Sequence, residues 1–161
     1  MFLPEALPLI LPKAVAWACE REREIMECGE LLAPAERDLA IRMGVSSPGR
    51  VRLRIVERLP VPDDPMLCAA AASTGLLGPG IVGLTLGHGI YICRGHRTAQ
   101  LVSHECRHVH QYEQAGSIGS FLAVYLQQLA KHGYANAPLE RATPTPCRLA
   151  RSWGRTGPWA A

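Results

Sequence analysis

The chain has 161 residues, a length typical of one domain that can bury a single continuous core. Hydrophobic residues make up 48% of it and charged residues 19%, a balance typical of globular proteins rather than disordered ones. The net charge of +3 is too small to indicate a nucleic-acid-binding surface, so we expect no nucleic-acid partner.

The six cysteines indicate either a disulfide framework or free thiols. No two of them have the Cys-x-x-Cys spacing. The first residues lack a basic segment, include Glu5 and contain several prolines, which is unlike a secretory signal peptide. We therefore predict a cytoplasmic protein whose cysteines are reduced and behave as small buried hydrophobic residues. A sharper alternative makes Cys93 or Cys147 a zinc ligand.

The first part of the chain is predicted to be helical and then to form a strand. Pro12 is typical of a first helical residue and Gly29 of a helix end, so we predict a helix between them. A second, shorter helix is predicted over residues 34–43. Residues 50–56 alternate between arginine and aliphatic residues, which predicts a half-buried strand with its arginines facing solvent.

Residues 65–93 contain no Asp, Glu, Lys or Arg, so a membrane span has to be considered. Six glycines and Pro79 argue against a span, because a spanning helix needs uninterrupted backbone pairing. We predict instead a short helix over residues 65–72. A hairpin follows, with strands at 81–86 and 90–93 and a glycine-rich tip between them.

Two longer helices are predicted in the last third of the chain. One begins after the capping hydroxyl of Thr98 and ends near Gly116. The next begins after Ser117 and ends at Gly133, and its apolar composition suits a core position against the first. Pro138 opens a further helical turn.

Residues 104–108 read His-Glu-Cys-Arg-His and fit the pattern His-Glu-x-x-His. On a helix, His104 and His108 project from the same face and can bind one metal ion. Glu105 lies about 100° round the helix and reaches a water on the metal rather than the metal. A metal-assisted hydrolase needs this combination of two nitrogen ligands and one adjacent base. Ordinary surface or core histidines are the alternative, but the neighbouring strand and helix patterns favour the metal site.

A catalytic zinc site needs at least a third protein ligand and keeps a fourth position for water. Downstream carboxylates and histidines are the candidates. Glu140 is well placed, because one intervening helix can return the chain to the motif. Cys93 or His88 as a fourth ligand would close the site and favour a structural zinc. His110 faces away from His108 on the helix and is not expected to join them.

The motif and the segments that follow it resemble the gluzincin branch of the zincin metallopeptidases. The runs His-Glu-x-x-His-Val-x-Gln-Tyr, Phe-Leu-x-x-Tyr-Leu and Gly-Tyr-x-Asn-x-Pro-Leu-Glu are similar to those of small bacterial zincin-like proteins. They occupy residues 104–112, 121–126 and 133–140, within a segment that covers about a quarter of the chain. The resemblance implies an α+β, zincin-like fold that is mostly helical, with a small sheet packed on the motif helix.

The same resemblance implies His104, His108 and Glu140 as ligands of Zn²⁺ and Glu105 as the base. It also implies that an edge strand positions an extended peptide, and we predict that residues 90–93 form this strand. A single zincin-like domain is then expected at 1–142. An irregular or disordered tail is expected at 143–161, where prolines and glycines interrupt any pattern.

Two departures from related patterns limit the comparison. Similar proteins carry a second acidic residue two positions after the glutamate ligand, where this chain has Ala142. The metzincin continuation requires glycine and histidine at positions occupied here by Gln111 and Gln114, so that branch is excluded.

We predict a zinc-dependent metallopeptidase that hydrolyses peptide bonds with a zinc-bound water activated by Glu105. Its partner is a peptide or protein substrate, and no membrane span is expected. Tyr112 and Tyr134 are candidate donors to the oxyanion, with Tyr125 and His132 as further candidates, although each also suits a structural role.

The alternative is a non-peptidase zinc-binding or interaction domain with a structural or vestigial site. The chain has little length for a second domain that would form the other side of a substrate cleft. A shallow groove, a protein partner or a loss of activity would each be compatible with this length.

Overall fold

The structure is a computed structural model that describes residues 3–143. The helices are α1 Leu3–Cys28, α2 Pro34–Arg42, α3 Pro65–Thr74, α4 Ala99–Ala115, α5 Ile118–His132 and α6 Pro138–Arg141, and the strands are β1 Glu30–Leu31, β2 Arg52–Val56, β3 Gly83–Leu86 and β4 Gly89–Cys93. The predicted α+β class is confirmed. The predicted tail lies outside the described residues except for its first residue, Thr143, which is buried.

The strands form one mixed sheet in the order β1-β2-β4-β3, in which only β2 and β4 are parallel. Side chains alternate between the two faces of the sheet. Thr85 on β3 contacts Glu105 of α4, whereas Tyr91 on β4 donates a hydrogen bond to Glu24 of α1. Because Thr85 pairs with Ile90, the neighbour of Tyr91, these contacts lie on opposite faces. Helices α1 and α4 therefore cover the two faces of the sheet.

Helix α1 begins at Leu3 and not at Pro12, so the predicted start is wrong. Prolines in its first turns remove backbone donors, which usually weakens a helix. Here Ala6 and Ile10 are buried in a small cluster with Leu67 of α3. This packing compensates for the lost hydrogen bonds, and no local pattern indicates it.

Most other elements match the predictions with shifts of a few residues at their ends. Val51 and Leu53 are fully buried, as a half-buried strand predicts. Arg54, which was predicted to face solvent, instead pairs with Glu24 of α1. The short strand β1 was not predicted, because two residues show no period. Gly89, predicted to lie at the hairpin tip, is the first residue of β4.

Among residues 3–143, no helix combines the length and the apolar character that a bilayer crossing requires. The five cysteines in that range form no disulfide with one another. Burial raises the pKa of the Cys106 thiol to about 12, so this side chain behaves as a small hydrophobic residue. Cys19 and Cys28 are exposed, so the prediction that the cysteines are buried is wrong for these two.

The N-cap of α4 provides a test of the local structure that orients the motif. Thr98 accepts a hydrogen bond from the Leu101 amide at 3.2 Å, as predicted from the sequence. Thr98→Ala should lower the free energy of unfolding by about 1 kcal/mol, because this amide loses its acceptor. Thr98→Ser keeps the acceptor and should behave like the unmodified protein in urea denaturation. Equal losses in both variants would contradict the capping role.

Candidate metal centre

Helix α4 places the motif inside the protein. Its apolar stripe includes Val102 and Val109, both fully buried. His104 and Glu105 are also fully buried, and His108 is only 7% exposed. Buried polar side chains require partners, since an unpaired one costs free energy. The motif residues are therefore not an ordinary solvated helix face.

The two imidazoles and the Glu140 carboxylate converge on one point. Nε2 of His104 lies 3.1 Å from Nε2 of His108. Glu140 Oε2 lies 3.7 Å from Nε2 of His104. The other oxygen, Oε1, lies 3.4 Å from Nε2 of His108. Two ligand atoms bound to the same tetrahedral zinc ion at ordinary bond lengths lie about 3.3 Å apart. The two nitrogens and the Glu140 carboxylate thus lie close enough together to bind one small cation.

Glu140 reaches this point because α5 returns the chain alongside α4. A 3₁₀ turn and Pro138 then begin the short helix α6, in which Glu140 is 3% exposed. Tyr125 of α5 donates its hydroxyl to Glu140 Oε1 at 2.6 Å. Gln128, also on α5, accepts a hydrogen bond from the Leu139 amide at 2.9 Å. Helix α5 therefore holds both the carboxylate and the backbone beside it.

Gln111 connects the motif helix to the glutamate segment. Its amide nitrogen donates to the Leu139 carbonyl at 2.9 Å, which turns its oxygen towards Nδ1 of His108, also at 2.9 Å. Nδ1 must then carry the hydrogen, so Nε2 of His108 faces the centre. Nδ1 of His104 is buried and has no hydrogen-bond partner among residues 3–143. Only one of the two imidazoles is oriented by this kind of bond.

Glu105 points to the sheet side of the centre. Thr85 of β3 donates its hydroxyl to Glu105 Oε2 at 2.6 Å. The other carboxylate oxygen lies so close to Gly83 that a Cβ at this position would overlap it. A larger residue at this position would therefore displace the Glu105 carboxylate. Glu105 is not part of the converging donor group, and its role as the base stays a prediction.

The three donors carry unequal charges. Burial and the charge of His108 lower the pKa of His104 to about 3, so this imidazole is neutral. Burial alone would lower the pKa of His108, but the Glu140 charge outweighs it and raises this pKa to about 9. Burial likewise opposes ionisation of Glu140, yet the charge and hydrogen bond of His108 lower its pKa to about 2. In the metal-free protein, a proton on His108 thus balances the negative charge of the Glu140 carboxylate. A bound cation would balance it instead.

The structure brings together no fourth candidate ligand. Within residues 3–143, the converging group of His, Cys, Asp and Glu side chains contains only the three predicted residues. His88 instead lies 3.1 Å from Glu113, and Cys93 is at the end of β4. His110 contacts the Gly44 carbonyl, in agreement with its predicted exclusion. Cys147 lies outside the described residues.

Three of the four candidate oxyanion donors line one cavity beside the centre, and the fourth does not. Tyr112 and Tyr134 are buried and line a cavity that also borders Glu105. Burial raises the pKa of Tyr112 well above its ordinary range, so its hydroxyl keeps the proton that a donor needs. Tyr125 also lines the cavity, but its hydroxyl is bonded to Glu140. His132 is exposed at the end of α5 and is not among the residues lining the cavity.

The predicted position of the edge strand is wrong. Residues 90–93 belong to β4, which is hydrogen-bonded to β2 on one side and to β3 on the other. A peptide cannot pair with a strand whose two edges are occupied. Strand β3 lies at the end of the sheet next to the motif helix, and all four of its residues line the cavity.

Sequence reasoning missed two residues that support the centre. Gln111 is three positions after His108, a spacing at which helical side chains meet, and this signal was available. Thr85 contacts Glu105 only because β3 lies across α4. No local pattern in the sequence indicates that contact.

Metal affinity should depend on pH through His108. Its raised pKa means that the metal-free protein holds a proton there below about pH 9, and a cation must displace it. The apparent zinc affinity should therefore rise about tenfold per pH unit from about pH 6 to 8, with close to one proton released per ion. Calorimetric titrations in buffers of different ionisation enthalpy measure both quantities. An affinity independent of pH would show that His108 is already neutral.

Gln111 should support zinc binding without touching the ion. Gln111→Leu has a similar size but removes both hydrogen bonds, so His108 loses its orientation. We expect zinc affinity to fall about 10- to 100-fold, measured by competition with a chelator. Gln114→Leu is the matched control, since Gln114 is exposed on the same helix. Equal affinities in the two variants would exclude the positioning role.

Comparisons with known proteins add no relative. A scan against protein-family models and searches of curated proteins and of solved structures found no match to this chain. The gluzincin resemblance and the zincin-like arrangement of the fold therefore stay predictions. The geometry of His104, His108, Glu140 and Glu105 is what indicates a function for this chain.

Proposed function

We propose that the protein is a zinc-dependent metallopeptidase. The observation that carries this proposal is the convergence of two imidazoles and one carboxylate, beside a second buried carboxylate that is not a donor. The two Nε2 atoms lie 3.1 Å apart, and the Glu140 oxygens lie 3.4 Å from that of His108 and 3.7 Å from that of His104. Two imidazoles and one carboxylate are a common ligand set of catalytic zinc. The absence of a fourth candidate ligand among residues 3–143 supports an open coordination position.

His104, His108 and Glu140 would hold the ion, and Glu105 would act as the base. When bound, zinc supplies a Lewis acid that activates water and polarises a carbonyl group. Glu105 accepts the proton of the attacking water and passes it to the leaving amine. The Thr85 hydroxyl keeps the Glu105 carboxylate in one orientation during both transfers. Tyr112 and Tyr134 are the candidate donors to the oxyanion.

Strand β3 would align the substrate. It pairs with β4 along one edge, and its residues Gly83–Leu86 line the cavity next to Glu105. An extended peptide that paired with the remaining edge would run past the base. Main-chain hydrogen bonds of this kind hold a peptide irrespective of its sequence.

A second candidate function is a non-peptidase zinc-binding or interaction domain. Almost complete burial of the donors favours it, since His104 is fully buried and His108 is 7% exposed. A peptide backbone needs more access than a single ion does. In this case the protein would bind zinc, and substitution of Glu105 would change no activity.

Metal content and peptide hydrolysis separate these functions. Protein purified without added metal should contain about one zinc per chain, and His108→Ala and Glu140→Ala should both lose it. His110→Ala is the matched control and should retain it, because His110 contacts the Gly44 carbonyl instead. Elemental analysis measures the zinc content of each protein. Absence of zinc from the unmodified protein would contradict the metallopeptidase and the structural zinc site, and would leave only an interaction domain with a vestigial site.

Glu105→Gln tests catalysis directly. This variant should retain zinc and lose at least about 100-fold in kcat on a library of unstructured peptides followed by mass spectrometry. Loss of the base, rather than loss of the ion, explains this result. Zinc binding with no hydrolysis in either protein would favour the structural site.

A further inference from the structure

An apolar cavity of about 110 Å³ adjoins the candidate metal centre. It lies beyond the edge strand β3, and helices α1, α3 and α5 contribute most of its remaining wall. Glu105, His108 and Glu140 border it, so the cavity and the centre are continuous. These three are the only Asp, Glu, Lys, Arg or His side chains among the described residues that line it.

The composition of the wall selects against charged groups. Ile10 and Trp17 of α1, Leu67 and Ala70 of α3, and Leu122 of α5 are among the apolar lining residues. A charged side chain that entered here would lose its water and find a counter-charge only at the centre itself. An aliphatic side chain would instead gain contacts that the empty cavity lacks.

The volume restricts the size of the group. A dry cavity of roughly 150 Å³ in another protein binds one benzene ring. At about 110 Å³, this cavity has room for a branched aliphatic side chain. Its border with Glu105 means that such a side chain would belong to a residue next to the scissile bond.

We propose that the cavity is a specificity pocket for a leucine-sized aliphatic side chain of a peptide substrate, on the residue adjacent to the bond that is cut. This inference depends on the proposed peptidase function and names the substrate class of the same site. Filling the pocket from the wall should therefore remove the preference for that class without removing the metal.

The test measures binding of amino-acid hydroxamates to the zinc-loaded protein by calorimetry. Leucine hydroxamate and glycine hydroxamate carry the same metal-binding group and differ in the side chain. We expect leucine hydroxamate to bind at least about 10-fold more tightly, because its side chain leaves water for the cavity. Aspartate hydroxamate should bind no better than the glycine compound.

Variants on α3 locate the preference. Ala70 lines the cavity, whereas its neighbour Ala69 is exposed on the same helix. Ala70→Leu should reduce the leucine preference to less than about 3-fold and leave zinc content unchanged, and Ala69→Leu should preserve the preference. Ala14→Leu on α1, with exposed Ala16→Leu as its control, provides the same test if the first variant does not fold.

The outcomes separate this inference from the function on which it depends. If the protein binds zinc but binds the leucine and glycine hydroxamates equally tightly, the specificity pocket is overturned and the metal centre is not. A preference that survives Ala70→Leu and Ala14→Leu would also overturn it. Protein that binds no zinc would overturn the proposed function and this inference together.

Discussion

The buried carboxylate of Glu140 is the constraint on which the rest of the site depends. An ionised carboxylate removed from water is costly unless charges and hydrogen bonds surround it. Tyr125 supplies a hydrogen bond at 2.6 Å, and His104 and His108 place their nitrogens within 3.7 Å. In the absence of a metal, a proton on His108 balances the negative charge of Glu140. A divalent cation would do so more completely, so we expect metal binding to be coupled to proton release.

The scaffold holds the centre from three directions. Helix α4 carries the imidazoles and Glu105, helix α5 orients the segment that carries Glu140, and strand β3 fixes the Glu105 carboxylate through Thr85. Gln111 ties two of these parts together across the centre. The Thr85–Glu105 and Gln111–Leu139 contacts join elements that are not consecutive in the chain, so the site forms only when these elements have packed together.

Burial is common to the proposed chemistry and the proposed specificity. A base excluded from water exchanges protons with the reacting groups rather than with solvent, and its neighbours interact more strongly. The same exclusion makes the approach to the centre apolar, because the surrounding helices contribute aliphatic side chains to it. A peptide that reaches Glu105 would therefore have to place an apolar side chain in that approach. The proposed selectivity and the proposed catalytic environment would thus have one physical origin.

The sequence by itself determined the features that depend on interactions between residues close together in the chain. Helical periodicity placed His104 and His108 on one face, and the caps of α4 and α5 could be predicted because capping is a local interaction. Glu140 was proposed from its position and from a family resemblance, and the structure brings it to the imidazoles. Only the tertiary structure decided that α1 begins at Leu3, that β3 rather than β4 is the edge beside the motif, and that Thr85 contacts Glu105. Strand order and helix packing depend on contacts between distant segments, and no local pattern in a single sequence specifies them.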